Sequence, residues 1–284
     1  MADPMADPLA GVCDCHGHVI GPRPRFAQAS FSGDVPEAWL DRHQTALATM
    51  GATRAVIVQP SSVYGFDHAA FLDALRLRPN AYRGVAVAGA EVSDAQLQAW
   101  HAVGVRALRF VDIKTASGGP LPGSVGLDAL EKLAPRLRAL GLHAHIWADC
   151  AAIVANEQRL LALGLDIVLD HMGKPDVAHG VEDPSFQRLC ALVRDGRLWV
   201  KLALCRNSRD LPDYPDLKPF HDALVEANPD QLLWGSDWPH LRMGDLTPEV
   251  GHLMALFRAW VGDEALAARI LVDNPARLFG FPAS

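Results

Sequence analysis

The chain carries little that would tie it to a membrane, a nucleic acid or an oxidising compartment. No apolar run reaches the roughly 18 residues that a membrane span needs. The net charge is -7 and Lys and Arg form no runs, which argues against a phosphate-backbone partner. There are only five cysteines in 284 residues, an odd number with no Cys-x-x-Cys pair. That speaks against a disulfide framework and for reduced thiols in the cytoplasm. Gly-x-Gly-x-x-Gly is missing after the first strand candidate, so a dinucleotide-binding open sheet has no phosphate turn. The first residues, Met1-Ala2-Asp3-Pro4-Met5-Ala6-Asp7-Pro8, lack the basic and apolar regions of a secretory signal. They read as a disordered tail over 1–10, followed by one domain over 11–284.

What the chain does have is alternation. Strand candidates lie at Val12 to Ile20, Ala55 to Gln59, Gly84 to Ala88, Val105 to Val111, His143 to Ala148, Asp166 to His171, Leu198 to Leu204 and Gln231 to Gly235. Several are continuous apolar runs, as parallel strands buried on both faces require. Amphipathic helix patterns separate them. Val35 to Met50 has Asp34 as its expected N-cap, Asp67 to Leu77 ends before Pro79, and Ser93 to Val103 follows. Leu127 to Leu140, Ala151 to Leu163, Phe186 to Arg194, Leu217 to Ala227 and Glu249 to Val261 continue the series, and Asp263 to Val272 adds a last helix. Strands each followed by a helix, with no break in composition, predict an α/β fold: a single, distorted (β/α)8 TIM-like barrel with an extra C-terminal helix.

In such a barrel chemistry gathers at the C-terminal ends of the strands. Three short motifs fall there: Cys13-Asp14-Cys15-His16-Gly17-His18, Asp170-His171-Met172-Gly173-Lys174-Pro175-Asp176, and Trp234-Gly235-Ser236-Asp237-Trp238-Pro239-His240. His16 and His18 are two apart, so on a strand they share a side. With His171 and Asp237 they make a set that suits zinc, or that without metal activates water and steadies an oxyanion. His145 is a further candidate ligand; one of His143 and His145 is equally readable as a core residue. Arg109, at a strand end, fits bidentate recognition of a carboxylate. Arg206, His240 and Arg242 are placed near the same rim, and Ser61 and Ser62 offer hydroxyls to a polar ligand or simply make a turn. Lys201 reads either as an anion contact or as a structural ion-pair partner, and Lys174 as a brace for its own turn. Cys15 beside His16 allows a nucleophile, though a small buried apolar residue is the plainer reading. His43, His68, His101, His179, His221 and His252 are expected on the surface.

These motifs resemble the amidohydrolase superfamily, of the amidohydrolase-2 type. The likeness is closest to the branch of 2-pyrone-4,6-dicarboxylate lactonase and sugar-lactone hydrolases. The resemblance also runs through Val56-Ile57-Val58-Gln59, Gly104-Val105-Arg106-Ala107-Leu108-Arg109-Phe110 and Asp273-Asn274-Pro275-Ala276-Arg277-Leu278-Phe279. It implies opening of a lactone ring by water, with Asp237 activating the water, His16, His18 and His171 polarising the carbonyl, and Arg109 holding a substrate carboxylate. It leaves two cofactor states open: none required, or one divalent metal, zinc first, on His16, His18 and Asp237; His145, where those enzymes have an aliphatic residue, joins that set from this chain's own sequence. The implied partner is a small-molecule lactone or carboxylic acid, with no nucleic acid and no membrane; oligomeric state is not legible. Alternatives on the same barrel are a lactone isomerase and a metal-dependent nonoxidative decarboxylase. A non-catalytic sugar-acid binder is a third. The chain departs from the dicarboxylate lactonases after Arg109, where Val111-Asp112-Ile113-Lys114-Thr115 holds no second arginine. Trp147 stands where they have a tyrosine, and Leu241 or Arg242 where they have an asparagine.

Overall fold

A computed structural model describes residues 11–115 and 117–282; the tail expected over 1–10 lies outside them. Eight strands form one parallel sheet in chain order. They are β1 (Cys13–Gly17), β2 (Arg54–Val58), β3 (Tyr82–Ala86), β4 (Val105–Val111), β5 (His143–Trp147), β6 (Ile167–Leu169), β7 (Trp199–Leu202) and β8 (Leu232–Trp234). The ring closes between its ends. Asp237 N donates to His16 O and His18 N to Trp238 O, each at 2.7 Å. Asp14 completes the seam by accepting from Ser236 N at 2.9 Å and from Ser236 Oγ at 2.5 Å. Gly235 lets the strands come this close: a Cβ there would lie 2.6 Å from His16 Cβ. The predicted (β/α)8 barrel is the fold observed.

Strand alternation divides the core in two. Ala55, Ile57, Leu108, Phe110, Ile146 and Leu169 face outward and pack with helix side chains in the large cluster. Val56, Val58, Val85, Ala107, Val168 and Leu233 face the lumen with Cys13, Cys15 and Trp199. Phe279 closes the lumen from below, its ring 5.1 Å from that of His143 and 5.9 Å from that of His145. The same parity places Arg109, Trp147, Asp170 and Lys201 on the lumen side, so the upper barrel is polar where most barrels are filled with Val, Ile and Leu.

Helices sit close to expectation, with instructive differences. α1 is Leu40–Thr49, not 35–50, because Ala38 pairs its backbone with Ile20 in an antiparallel bridge and keeps the preceding residues extended. α2 (Ser61–Tyr64) is a short helix in a segment expected to be a loop. α3 (Ala69–Leu77), α4 (Asp94–Ala102) and α5 (Leu127–Ala139) follow. Ser93 caps α4 through Gln96 N, as its sequence suggests. The helix expected over 151–163 is two, α6 (Cys150–Ala155) and α7 (Glu157–Ala162), broken at Asn156. After α8 (Pro184–Arg194), α9 (Lys218–Ala227) and α10 (Val250–Val261), the last expected helix becomes α11 (Glu264–Ala268), a π-helical stretch Arg269–Asp273 and α12 (Asn274–Phe279). Three histidines expected on the surface are buried. His43 bonds Tyr82 Oη at 2.7 Å, His68 bonds Val87 O at 2.8 Å, and His221 packs on Trp260. No described helix is long and apolar enough to cross a membrane.

Candidate active site

The C-terminal mouth of the barrel gathers imidazoles around Asp237. Its Oδ1 lies 3.3 Å from His18 Nε2 and 3.6 Å from His16 Nε2. Its Oδ2 accepts from Arg206 Nε at 2.6 Å and lies 3.6 Å from Cys205 Sγ. One oxygen is therefore held and the other is presented. The His16 and His18 rings stand edge to face at 5.2 Å, and the His171 ring is 4.8 Å from His16. These positions are not simple strand alternation. Cys13 and Cys15 take the lumen positions of β1, and a register shift between Asp14 and Gly17 turns His16 and His18 into the mouth. His171 (φ 50°) and Asp237 (φ 64°) lie in left-handed turns past their strands, a conformation that costs about 1–3 kcal/mol and that gathers at functional sites.

Below this layer lies a second carboxylate that the sequence reading passed over. Asp170 is fully buried. Its Oδ2 accepts from Arg109 Nε at 2.7 Å, and its Oδ1 is 3.0 Å from Lys201 Nζ and 3.3 Å from His16 Nδ1. Parity from lumen-facing Val168 was the signal that could have found it. Lys201 also donates to His16 Nδ1 at 3.2 Å, so of its two readings the ion pair is the one observed. Arg109 spends only Nε on Asp170. Its terminal nitrogens have no protein partner among the described residues, and its guanidinium lies 5.2 Å from the Trp147 ring centroid. Trp147 Nε1 and His171 Nδ1 are likewise buried without a partner.

Charge states follow from this packing. Burial alone would raise Asp237. Arg206 first, then His18, His171 and His16, outweigh it and hold the carboxyl well below its usual range. Asp170 is held low in the same way, chiefly by Lys201 and Arg109 against its burial. Burial pushes His16 well below the usual imidazole value, with Lys201 adding to it, and takes His171 down to about 4. Burial raises Asp14 to about 6, against its bonds to Ser236 and His16. At neutral pH the mouth thus holds the Asp237 and Asp170 carboxylates, with Asp14 ionised in the seam beside them, the cations of Lys201, Arg109 and Arg206, and neutral His16 and His171.

A cavity of about 190 Å³ opens on this set, lined by His18, Ser61, Ser62, Arg109, Trp147, His171, Arg206, Asp237 and Arg242. Arg206, expected to meet substrate, is bound to Asp237 and to Leu241 O at 3.0 Å. Arg242 donates to Ser32 O at 2.7 Å and Ser62 O at 3.0 Å. His240, also expected to bind substrate, bonds Ser236 O at 3.1 Å and faces a neighbouring groove. That groove is larger, about 710 Å³, but holds neither Asp237 nor the histidine pair. His145 sits one layer down, 3.9 Å from Asp170 Oδ1, and does not converge with the other expected ligands. Lys174 pairs with Asp149 rather than bracing its own turn.

A divalent metal can be tested against these donors. One nitrogen of His16, one of His18 and one oxygen of Asp237 lie within 4.8 Å of one another. His18 is oriented as a ligand would be: its Nδ1–H donates to Val58 O at 2.8 Å and leaves Nε2 as a lone pair toward Asp237. His16 is not. Its Nδ1 lies 3.2 Å from the Lys201 ammonium and 3.3 Å from Asp170 Oδ1; accepting from the ammonium puts the ring proton on Nε2, where a metal needs a lone pair. The distances suit a metal; the protonation pattern does not.

A parallel barrel whose mouth sets a His-x-His pair and a later histidine around one carboxylate defines a class of barrel enzymes. A family profile described as Amidohydrolase matches residues 13–281, and the chain belongs to that family. It is 32% identical over 281 residues to the 2-pyrone-4,6-dicarboxylate hydrolase of Comamonas testosteroni, covering 95% of this chain and 90% of that one. It is 33% identical over 278 residues to the 4-sulfomuconolactone hydrolase of Rhizobium radiobacter, with the same coverage of 95% and 90%. The D-galactarolactone isomerase of Agrobacterium fabrum is more distant, at 26% over 81% of this chain and 77% of its own. Among solved structures, a 2-pyrone-4,6-dicarboxylic acid hydrolase from Pseudomonas putida superposes with a TM-score of 0.82 at 28% identity. It covers 96% of this chain and 99% of that chain.

Proposed function

We propose that this enzyme hydrolyses the ring ester of a small lactone bearing an anionic group. The observation that carries the reading is the split of Asp237: Oδ2 is tied to Arg206, and Oδ1 faces the cavity beside His18 and His16. A water seated against Asp237 Oδ1 and His18 Nε2, which lie 3.3 Å apart, can donate to the carboxylate oxygen. Asp237 takes one proton as the water oxygen attacks the lactone carbonyl. His16, with its proton on Nε2, and His171 are the neutral imidazoles facing the carbonyl oxygen, and they donate to it as charge develops. Collapse of the tetrahedral intermediate breaks the ring C–O bond, and the proton held by Asp237 passes to the departing alkoxide or enolate. The products are one carboxylate and one hydroxyl, and the carboxylic acid releases a proton to solvent.

Two features support an anionic substrate. Three fixed cations, Lys201, Arg109 and Arg206, stand around the mouth, and Arg109 and Arg206 line the cavity itself. Arg109 also carries terminal donors with no protein partner among the described residues, its planar guanidinium lying over the Trp147 ring, and such a fork suits a carboxylate or sulfonate. Named relatives act on lactones that fit this description, and the family membership supports carrying the reaction class to this chain. The test is acid release from a panel of carboxylated, sulfonated and neutral lactones, using chelator-treated protein. Turnover of anionic lactones, and little of neutral ones, is expected. A product isomeric with its substrate and no acid release would move the assignment to isomerisation, the activity named for the more distant relative.

A further inference from the structure

Lys201 is an unusual residue for the inside of a barrel. It has no solvent exposure, and it sits on β7 directly under the catalytic layer. Its Nζ, Asp170 Oδ1 and His16 Nδ1 form a triangle of 3.0, 3.2 and 3.3 Å. The contact from Lys201 to His16 has hydrogen-bond alignment. Asp170 Oδ1 meets both His16 Nδ1 and Lys201 Nζ as ion-pair contacts, and it is nearer to the ammonium than to the ring. An ammonium has three donors and no acceptor, so His16 Nδ1 must be the acceptor. The neutral ring then carries its hydrogen on Nε2. His18, two residues on, is fixed the other way by the Val58 carbonyl.

We propose that Lys201 is a positioning residue that makes His16 a hydrogen-bond donor instead of a metal ligand, so that a three-residue set with metal-like spacing works without a metal. Two effects act together. The tautomer removes the lone pair a cation would need on His16 Nε2. The fixed positive charge of Lys201, one imidazole away from the centre of the set, repels a divalent ion. Asp170 holds Lys201 in place and, through Arg109, ties this selection to the anion-binding side of the cavity. Had Asp170 been the partner of His16 Nδ1, as carboxylates are in many metal sites, the same three side chains would present three lone pairs to one point.

Two measurements on substrate-free protein test this, so the result stands whether or not the substrate is a lactone. The first is the imidazole ¹⁵N spectrum of histidine-labelled wild-type protein near pH 7.5, with the two rings assigned from His16→Gln and His18→Gln spectra. Opposite tautomers are expected, Nε2–H for His16 and Nδ1–H for His18. Nδ1–H on both rings would overturn the proposal. The second is zinc binding by calorimetry, with the metal alone, to wild type, Lys201→Arg and Lys201→Met. Lys201→Met is expected to bind zinc roughly 10- to 100-fold more tightly than wild type, the range over which outer hydrogen-bond partners tune metal sites. Lys201→Arg, which keeps the charge and the donor, is expected to stay near wild type. Equal zinc affinity in wild type and Lys201→Met would contradict the proposal. If Lys201→Met does not fold, the wild-type spectrum decides alone, because it needs no substitution at that position.

Discussion

At the level of single residues, the proposed function divides the work between Asp237 and Arg109. Asp237 is the only carboxylate among the described residues that line the cavity, and its Oδ1 faces two imidazoles. Asp237→Asn keeps the shape and loses the base, so kcat should fall by about 10²–10⁴ while circular dichroism stays as in wild type. A variant with wild-type kcat would remove Asp237 from the chemistry. Arg109 is proposed to act on binding. Arg109→Lys keeps a cation near Asp170 but loses the planar pair of terminal donors, so KM for an anionic lactone should rise about ten- to a hundredfold. KM for a neutral lactone should change little; equal effects on both would mean that Arg109 serves only to hold Asp170. The residues legible beforehand were those in motifs: His16, His18, His171, Asp237 and Arg109 all meet at one mouth. Asp170 and Lys201 were not singled out as a pair because each alone is an ordinary charged residue in a strand. What makes them a device is the contact of β6, β7 and β1 across the lumen, which no local pattern reports.

Among elements, the seam between β1 and β8 matters most, because it carries His16, His18 and Asp237 on facing segments. Asp14 accepts from His16 N, Ser236 N and Ser236 Oγ, and so ties both sides of the site to one buried carboxyl. Gly235 is the other requirement. Gly235→Ala would drive a methyl to 2.6 Å from His16 Cβ and 3.0 Å from His16 N. Overpacking of this kind costs about 1–3 kcal/mol. The urea midpoint should drop accordingly, and activity should fall further than stability because His16 is what must move. An unchanged midpoint would show the seam to be slack. The strand pattern foresaw every strand and hence the barrel, because long apolar runs separated by amphipathic segments have few other solutions. It failed where backbone bonding overrides side-chain periodicity. Ala38 pairs with Ile20, so the start of α1 is lost. Asn156 interrupts the helix expected over 151–163, and Asp34 caps nothing.

On the scale of the whole molecule, the burial of histidine predicts acid lability. Burial, with Lys201 and Arg106 adding to it, takes His143 down to about 3, and burial lowers His221 as well. Each binds fewer protons folded than unfolded, so stability rises with pH across the window between the folded value and the unfolded value of about 6.5. It is complete above that window and is lost as pH falls through it. Asp14 acts in the opposite sense. Its carboxyl is raised to about 6, so its contribution is present at low pH and is lost as pH rises through that value. Its shift is the smaller, and the histidines dominate. The urea midpoint should therefore fall steeply from pH 7 to pH 4.5, and His143→Leu should flatten that slope; a flat wild-type profile would contradict the burial of neutral imidazoles. The polar lumen beneath the site is thus a stability cost that the large outer core offsets.

Asp237 is proposed to activate the water whose oxygen enters the product. Turnover of a carboxylated lactone in ¹⁸O-water, followed by mass spectrometry of the product, measures this directly. The account predicts one ¹⁸O atom in the newly formed carboxylate with wild-type protein, and no product above the uncatalysed level with Asp237→Asn. A product free of ¹⁸O, or full labelling by Asp237→Asn, would contradict it.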